Sequence, residues 1–147
     1  MNIEIRKASM DDVPSLYNLV YELAVFEKEP DALTTSLETY QEAFSEKLID
    51  AIVAVDGYVI VGMVLYYMTF STWKGKSLYL EDFYVKDAYR QFGIGQSLFD
   101  AYLEEAKSRG ATMAKWQVLD WNEVGINFYK KNNAVIETNW WNGKIYF

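Results

Sequence analysis

The sequence predicts an α/β fold around one mixed sheet, antiparallel in its early part and parallel at a crossover, with helices on both faces. Two observations support this prediction. The apolar patterns follow one another in the order strand, two helices, three strands, helix, strand, helix, strand. Short turns separate the three central strands, which favours antiparallel pairing, whereas a helix separates the next pair, as a parallel crossover requires.

The first third of the chain is expected to form one strand and two helices. Apolar and polar residues alternate over Asn2–Ala8, as in a half-buried strand. Ser9 and Asp12 have the spacing of a capping box at the start of an amphipathic helix. Thr35 and Glu38 have the same spacing, so they predict the start of a second amphipathic helix.

Turn residues divide the rest of the chain into strands. Asp56 and Gly57 lie between two apolar runs and predict a hairpin with a type I′ turn, which needs positive φ angles. A last strand is expected to pair with residues 144–147 through Asn142 and Gly143. The strands are predicted over residues 51–55, 58–70, 76–85, 112–118 and 134–140, and a short helix over about 122–131.

Length and composition fit one domain over residues 1–147. Hydrophobic residues make up 51% of the chain, which is enough for a sizeable core. The net charge of −7 disfavours nucleic acid and anionic membranes as partners and attracts a small cationic substrate. No apolar run has the length of a membrane span, and the N-terminus lacks the apolar core of a signal peptide, so we expect a cytoplasmic protein.

The residue types that are missing restrict the chemistry. The chain contains neither cysteine nor histidine. A disulfide framework and a thiol nucleophile are therefore excluded, and so are the most common general base and the most common metal ligand. We expect no metal site, and any acid or base must be Asp, Glu, Tyr or Lys.

A glycine loop that begins at Arg90 follows a predicted strand and precedes a helix. Its backbone N–H groups can converge on one anion, and a pyrophosphate would fit there. Gly93 and Gly95 would let the backbone approach the phosphates, and Arg90 or Lys86 would add positive charge. A purely structural turn is the alternative. The loop is not a dinucleotide fingerprint, because Leu98 occupies its third glycine position.

Two adjacent carboxylates, Glu81 and Asp82, interrupt the apolar strand over residues 78–85. An unpaired buried carboxylate costs several kcal/mol, roughly, so the pair needs water, a partner or a cation. The alternative is a bulge or a strand end that exposes both side chains.

Arg90, Gly93 and Gly95, spaced as Arg-x-x-Gly-x-Gly after an apolar strand, resemble the acetyl-coenzyme A motif of the GNAT acetyltransferases. A wider similarity to the diamine (spermidine/spermine) acetyltransferases covers roughly Ile5 to Ala134. The segments that carry it are Tyr66-Tyr67, Trp73, Gly75-Lys76, residues 78–83, Tyr89-Arg90, residues 92–95, residues 121–123 and residues 126–130.

The resemblance implies a GNAT fold and direct attack of an amine on acetyl-coenzyme A within a ternary complex. It implies that Glu81 is the general base, acting on the ammonium through water, and that Asp82 helps to hold the cation. Tyr129 would be the general acid for the departing coenzyme A thiolate. Without the resemblance, a packing role would be the usual interpretation of one tyrosine among 12.

The resemblance also implies a cofactor site. Backbone groups of Phe83, Tyr84 and Val85 would bind the acetyl carbonyl and the pantetheine as an added strand does, and would stabilise the oxyanion. Asn122 would bind the pantetheine arm, cap its own helix, or do both. The loop residues that would hold the diphosphate are Arg90, Gln91, Phe92, Gly93, Ile94, Gly95 and Gln96.

For the acceptor, the resemblance implies a small diamine or polyamine and a homodimeric enzyme. Glu27 aligns with an acidic residue that contacts polyamine, and the rings of Trp73 and Trp116 could face an ammonium. A core role is the alternative for the tryptophans. Two further functions stay open: acetylation of another amine, such as a lysine analogue, an amino sugar or a peptide amine, and binding of acetyl-coenzyme A without catalysis.

Four positions depart from the family pattern. Gln91 stands where a glycine is usual, and Phe26 replaces a tyrosine beside Glu27. Val124 and Gly125 replace a proline and a small hydroxyl residue. These departures concern the diphosphate loop, the amine pocket and the cofactor contacts after Asn122.

Overall fold

A computed structural model describes all of residues 1–147. They form two compact units, Met1–Gln117 and Val118–Phe147. The first unit contains five strands and three helices, and the second contains one helix. In chain order the elements are β1 (Ile3–Lys7), α1 (Val13–Phe26), α2 (Leu37–Ser45), β2 (Asp50–Asp56), β3 (Val59–Ser71), β4 (Gly75–Val85), α3 (Ile94–Ser108), β5 (Met113–Trp116) and α4 (Glu123–Lys131).

The five strands form one sheet in the order β1-β2-β3-β4-β5. The first three pairs are antiparallel, and β4 pairs with β5 in parallel. The α3 helix supplies the crossover between the two parallel strands. The predicted mixed sheet is therefore confirmed.

The sheet is covered on both faces. On one face, the apolar side of α1 packs on β2 and β3, with Leu16, Leu19 and Leu23 in the core cluster beside Met63 and Leu65. The side chains that α3 buries on the other face are Ile94, Leu98, Phe99, Tyr102 and Ala106. The arrangement with helices on both faces is confirmed as well.

The predicted capping box at the first helix is present. Asp12 accepts a hydrogen bond of 2.8 Å from the Ser9 backbone N–H and forms an ion pair of 2.7 Å with Arg6. One turn of 3-10 helix, Met10–Asp12, precedes α1. The predicted cap of the second helix is wrong by one residue, because Ser36 accepts from the Thr39 N–H at 3.2 Å.

The hairpin between β2 and β3 is confirmed, but its turn is not type I′. Asp56 pairs with Val59, so the two central residues are Gly57 and Tyr58. Only Gly57 has a positive φ, of 63°. A type I′ turn needs two positive angles, and the bulky tyrosine does not adopt one.

The second unit contains the predicted helix but not the predicted final strand. No residue after Trp116 joins a strand ladder. Side chains of this segment stay exposed, including Trp140, Trp141 and Ile145. A two-stranded ribbon that buries no apolar face has little stability by itself, which explains why alternation alone overpredicted a strand here. None of the helices in the chain has the length and apolar character of a membrane span.

Candidate active site

A cavity of about 240 Å³ lies between α2 and the sheet. Tyr40 and Ala43 line it from the helix, and Tyr67, Glu81 and Asp82 line it from the sheet. Neither lysine nor arginine is among the lining residues. The two carboxylates singled out in the sequence therefore share one cavity that offers them no cation.

A bulge in β4 explains how neighbouring residues come to share a face. Leu65 of β3 pairs with Asp82, but the next residue, Tyr66, pairs with Leu80, so Glu81 is the extra residue. In a regular strand, Glu81 and Asp82 would point to opposite faces. The extra residue shifts the alternation, and both carboxylates line the cavity on the α2 side.

Asp82 has an unusual proton affinity. Burial, together with the negative charges of Glu81 and Glu27, raises the pKa of its carboxyl to about 7. A carboxyl group with this pKa is only partly ionised at neutral pH, although a nearby cation would restore its charge. Three acidic residues thus act on one another at this cavity.

Glu27 reaches the cluster from α1. It is the C-cap residue of that helix, and burial raises the pKa of its carboxyl. The negative end of the helix dipole disfavours a carboxylate at this position. The placement therefore gives no stabilisation to the helix, and it adds to the field that attracts a cation.

Glu81 is the exposed member of the cluster. Its Oε1 accepts a hydrogen bond of 2.8 Å from the hydroxyl of Tyr67 on the neighbouring strand. The ring of Tyr67 packs on that of Tyr79, with 5.4 Å between the centroids. The carboxylate is thus held from one side and open to solvent from the other.

The glycine loop leads directly into α3. Gly93 is the N-cap residue with a φ of 81°, and it offers no side-chain acceptor to the first amides of the helix. Gln91 has a positive φ of 69°. The loop therefore keeps a left-handed backbone at the position where glycine is usual, at some cost in strain. Phe92 is exposed beside it.

The first turn of α3 can present several N–H groups to one anion, as helix N-termini do. The α3 helix begins at Ile94, whose side chain is buried below the loop. A Cβ at Gly95 would come no closer than 3.7 Å to Phe83, so the surroundings do not demand glycine there. Gln96 donates its side-chain amide to Asp100.

Both cations proposed to add charge at the loop already have partners. Arg90 donates from Nε to the Val85 carbonyl at 2.9 Å, and its guanidinium lies 5.1 Å from the centre of the Phe26 ring. Lys86 forms an ion pair of 3.1 Å with Glu22. Phe26, which replaces a tyrosine, supplies a ring for Arg90 to stack on.

The β5 strand pairs with only the first part of β4. The ladder with β5 ends at the pair formed by Leu80 and Trp116, while β4 continues to Val85. Phe83, Tyr84 and Val85 therefore lie along a stretch of edge that β5 does not cover. An extended chain of suitable polarity could bind to such an edge as an additional strand.

The structure does not bring the two predicted tryptophans to the acidic cavity. Trp73 lies in the turn between β3 and β4 and is 83% exposed. At about 3.3 Å per residue, Glu81 is roughly 20 Å from this turn. The Trp116 ring packs edge-on against Phe99 at 5.4 Å, on the α3 face of the sheet. The core interpretation fits Trp116.

Within the second unit, Asn122 caps α4 by accepting from the Gly125 N–H at 3.0 Å. A Cβ at Gly125 would lie 2.7 Å from the Asn122 side chain, so glycine suits this cap. Val124 is exposed. Tyr129 lies on α4, is 7% exposed, and contacts the Phe128 ring at 5.6 Å between centroids.

Sequence reasoning missed two features of the cavity. It gave no role to Tyr67, whose contact with Glu81 depends on the strand register and on the bulge. It also treated α2 as packing alone, although Thr39, Tyr40 and Ala43 form a wall of the cavity. The sequence gives only a weak signal for these two features, since the local apolar pattern predicts neither the strand register nor the bulge. No cluster of side chains suited to a metal ion is present.

Comparison with known proteins agrees with this geometry. The model of the acetyltransferase (GNAT) family matches residues 13–134. The thialysine N-epsilon-acetyltransferase of Bos taurus is 35% identical over 142 residues, which cover 90% of this chain and 84% of that protein. The spermidine/spermine N(1)-acetyltransferase-like protein 1 of Homo sapiens is 33% identical over 141 residues, 90% of this chain and 20% of that protein.

The fold has close counterparts among solved structures. An aminoglycoside acetyltransferase from an uncultured soil metagenomic sample superposes with a TM-score of 0.83 at 17% identity, covering 99% of this chain and 96% of that one. This likeness concerns the fold alone, whereas the family match and the relatives above 30% identity concern descent. The chain therefore belongs to the GNAT family of acetyltransferases and is an N-acetyltransferase.

Proposed function

We propose that this N-acetyltransferase moves the acetyl group of acetyl-coenzyme A to a primary amine of a diamine or polyamine. One observation carries the proposal: the cavity between α2 and the sheet is lined by Glu81 and Asp82, with the charge of Glu27 acting on Asp82, and no lysine or arginine lines it. An amine with two or more positive charges supplies the missing counter-charge.

The charge of the cavity also favours one acceptor class over another. A lysine analogue carries a carboxylate as well as its amines, and that carboxylate would need a cation or several donors when it is desolvated. The nearby cations Arg90 and Lys86 are already paired within the protein. The relatives include a thialysine acetyltransferase as well as a spermidine/spermine acetyltransferase-like protein, so the lysine analogue remains the second candidate.

Two features support acetyl-coenzyme A as the acetyl donor. The uncapped amides at the start of α3 suit the diphosphate, with Gly93 allowing close approach. The stretch of β4 at Phe83, Tyr84 and Val85, which lies beyond the ladder with β5, suits the amide-bearing pantetheine arm. In this proposal Gln91, Phe92, Ile94, Gly95 and Gln96 complete the loop, and Asn122 adds a contact to the arm.

The proposed chemistry is direct transfer. An ammonium with a pKa near ~10.4 must lose a proton before it can attack, and Glu81 accepts that proton through water while Asp82 holds the cation. The amine nitrogen then bonds to the acetyl carbon, and the carbon–sulfur bond breaks. The thiolate leaves as the thiol after receiving a proton from Tyr129, the proposed general acid. The second proton that the nitrogen loses as the amide forms returns this phenol to its neutral state.

We also propose that residues 1–147 act as one catalytic domain and that the enzyme is a cytoplasmic homodimer. The family match over residues 13–134 includes parts of both compact units, which supports one domain. Exposed aromatic residues near the C-terminus, including Trp141 and Tyr146, offer apolar surface to a second copy. Light scattering coupled to gel filtration measures the mass, and a monomer at micromolar concentration would contradict the dimer.

A panel of amines with acetyl-coenzyme A tests the proposal, with release of free thiol as the readout. We expect kcat/KM for spermidine and for a linear diamine to exceed that for a lysine analogue and for a neutral amino sugar. Equal turnover of the amino sugar and the polyamines would contradict the acceptor class. Binding of acetyl-coenzyme A without turnover of any amine would instead support a non-catalytic module.

A further inference from the structure

The Glu81 carboxylate has one hydrogen-bond partner in the protein, the hydroxyl of Tyr67 at 2.8 Å. No ion pair holds Glu81, although it is the most exposed member of the acidic cluster. A free glutamate side chain samples many rotamers, and ordering it costs free energy. A base that works through a water molecule needs its oxygen atoms in fixed places.

We propose that Tyr67 is a positioning residue for the acetyl transfer, because its hydroxyl fixes the orientation of the Glu81 carboxylate toward the amine. The inference rests on the role proposed above for Glu81. It adds a residue from β3 to a site whose acidic members come from β4 and α1.

The surroundings of Tyr67 suit this role. The residue sits in β3 directly opposite Tyr79 of β4, and the two rings pack at 5.4 Å between centroids. Burial and the bond to Glu81 raise the pKa of the Tyr67 phenol well above its ordinary value. The phenol therefore keeps its proton at every pH at which the enzyme works, and it remains a donor throughout the reaction.

The bond also leaves the reacting side of the carboxylate free. Tyr67 contacts Oε1, so Oε2 remains available to a water molecule that faces the amine. In the proposed step, the ammonium passes one proton to this water, which passes one to Glu81, and the carboxylate becomes a neutral carboxyl. Tyr67 neither gains nor loses a proton.

Tyr79 provides a matched control. It has the same side chain, lies directly across the two strands, and contributes its ring to the same pair. Its hydroxyl makes no hydrogen bond to Glu81, unlike that of Tyr67. Replacing either tyrosine by phenylalanine retains the ring packing, so only the Tyr67 change removes the bond to the carboxylate.

The test is a double-mutant cycle on kcat and on KM for the amine that the panel identifies as the best acceptor. We expect Tyr67→Phe to lower kcat about 10-fold with KM changed less than about twofold, as befits loss of one bond to a charged group. Tyr79→Phe should leave both constants within about twofold of wild type. In the Glu81→Gln background, Tyr67→Phe should have no further effect on kcat, because its action passes through the carboxylate.

The outcomes separate this inference from the function on which it rests. If Glu81→Gln lowers kcat strongly and Tyr67→Phe leaves it unchanged, the positioning role is wrong and the role of Glu81 stands. If the two losses multiply in the double variant, Tyr67 acts independently of Glu81 and the inference is overturned. If Glu81→Gln itself keeps wild-type kcat, the proposed role of Glu81 as the base is wrong, and the positioning role of Tyr67 is wrong with it. Unfolding curves for each variant establish that the fold is intact.

Discussion

The two faces of the β3–β4 hairpin are built from the same strands and yet behave differently. On the α3 face, Leu78 and Tyr66 are fully buried, and the Tyr102 hydroxyl donates to the Leu78 carbonyl. On the α2 face, a few residues away, the side chains of Glu81 and Asp82 line a cavity without a cation. Burial on the α3 face stabilises the fold. The α2 face instead holds carboxylates without a cation, which an amine could neutralise.

The bulge at Glu81 is the local cause of this difference. The residues of β4 before the bulge pair in regular register with β3. At the bulge, two successive carboxylates face the cavity. A strand that carried Glu81 and Asp82 without the bulge would direct one of them into the α3 core, where an unpaired charge is costly. A single inserted residue therefore separates the part of the sheet that packs from the part that lines the cavity.

The largest expected effect comes from removing Glu81, the proposed base, on the cavity face. Glu81→Gln should reduce kcat for the best amine by about 100-fold or more, because general base catalysis contributes a factor of that order. Steady-state assays at saturating acetyl-coenzyme A measure it. Glu104→Gln on the exposed side of α3 is the control and should remain near wild type. A Glu81→Gln enzyme with normal kcat would contradict the functional contrast between the faces.

The next effect concerns stability and pH. The pKa of Asp82 is raised to about 7 in the folded protein by burial and by neighbouring charge. Because the unfolded chain ionises at lower pH than the folded one, wild-type stability falls as the pH rises from about 4 to 7. Asp82→Asn lacks this loss, so its stability relative to wild type should be greater at pH 8 than at pH 4, by on the order of 4 kcal/mol.

Urea denaturation of both proteins across that pH range measures the difference. The free energy of unfolding of the variant should rise relative to that of wild type only over the pH range between the pKa values of Asp82 in the unfolded and the folded protein. If the free energy of unfolding has the same pH dependence in the two proteins, the pKa of Asp82 is not raised in the folded protein.

A smaller effect is expected on the α3 face. Tyr102→Phe should destabilise the protein by about 1 kcal/mol, because the Leu78 carbonyl loses its donor. The hydroxyl of Tyr66 is buried without a partner, so Tyr66→Phe should be neutral or slightly stabilising. The two rings contact each other at 5.8 Å between centroids, which makes them a matched pair. Equal destabilisation by both changes would contradict the hydrogen-bond assignment.

The smallest effect is expected at the loop before α3. Gln91 has a φ of 69°, which a glycine adopts without strain. Gln91→Gly should therefore change the free energy of unfolding by less than about 1 kcal/mol, since relief of strain is offset by greater freedom of the unfolded chain. Thermal unfolding measures the stability, and titration with coenzyme A shows whether the loop still binds. A large loss of stability would mean that the Gln91 side chain itself holds the loop.

Much of the fold could be predicted because its signals are local. The capping box at Ser9 and Asp12, the αL residue Gly110 after α3 and the cap at Asn122 each depend on a few neighbouring residues. The end of α3 is likewise local, since the Ala111 N–H bonds to the Ala106 carbonyl one turn before it. Where two similar residues competed locally, as Thr35 and Ser36 did for a cap, the pattern could not decide between them.

The site was harder to predict because it depends on contacts distant in sequence. The adjacent carboxylates were visible, but the influence of Glu27 on Asp82 requires α1 to end beside β4. The bulge that brings Glu81 to the cavity and the bond from Tyr67 both depend on the register of β3 against β4. The positions of the tryptophans were open for the same reason, since the sequence around an aromatic residue does not show whether its side chain packs in a core or faces a ligand.

Calorimetric titration of spermidine into the protein saturated with coenzyme A measures amine binding apart from catalysis, and so it examines the proposed role of the acidic cavity by itself. If the unpaired carboxylates of the cavity hold the amine, the wild-type complex binds spermidine, and Asp82→Asn together with Glu27→Gln weakens that binding by at least about 10-fold. Equal affinity of the wild-type and doubly substituted proteins would contradict the claim.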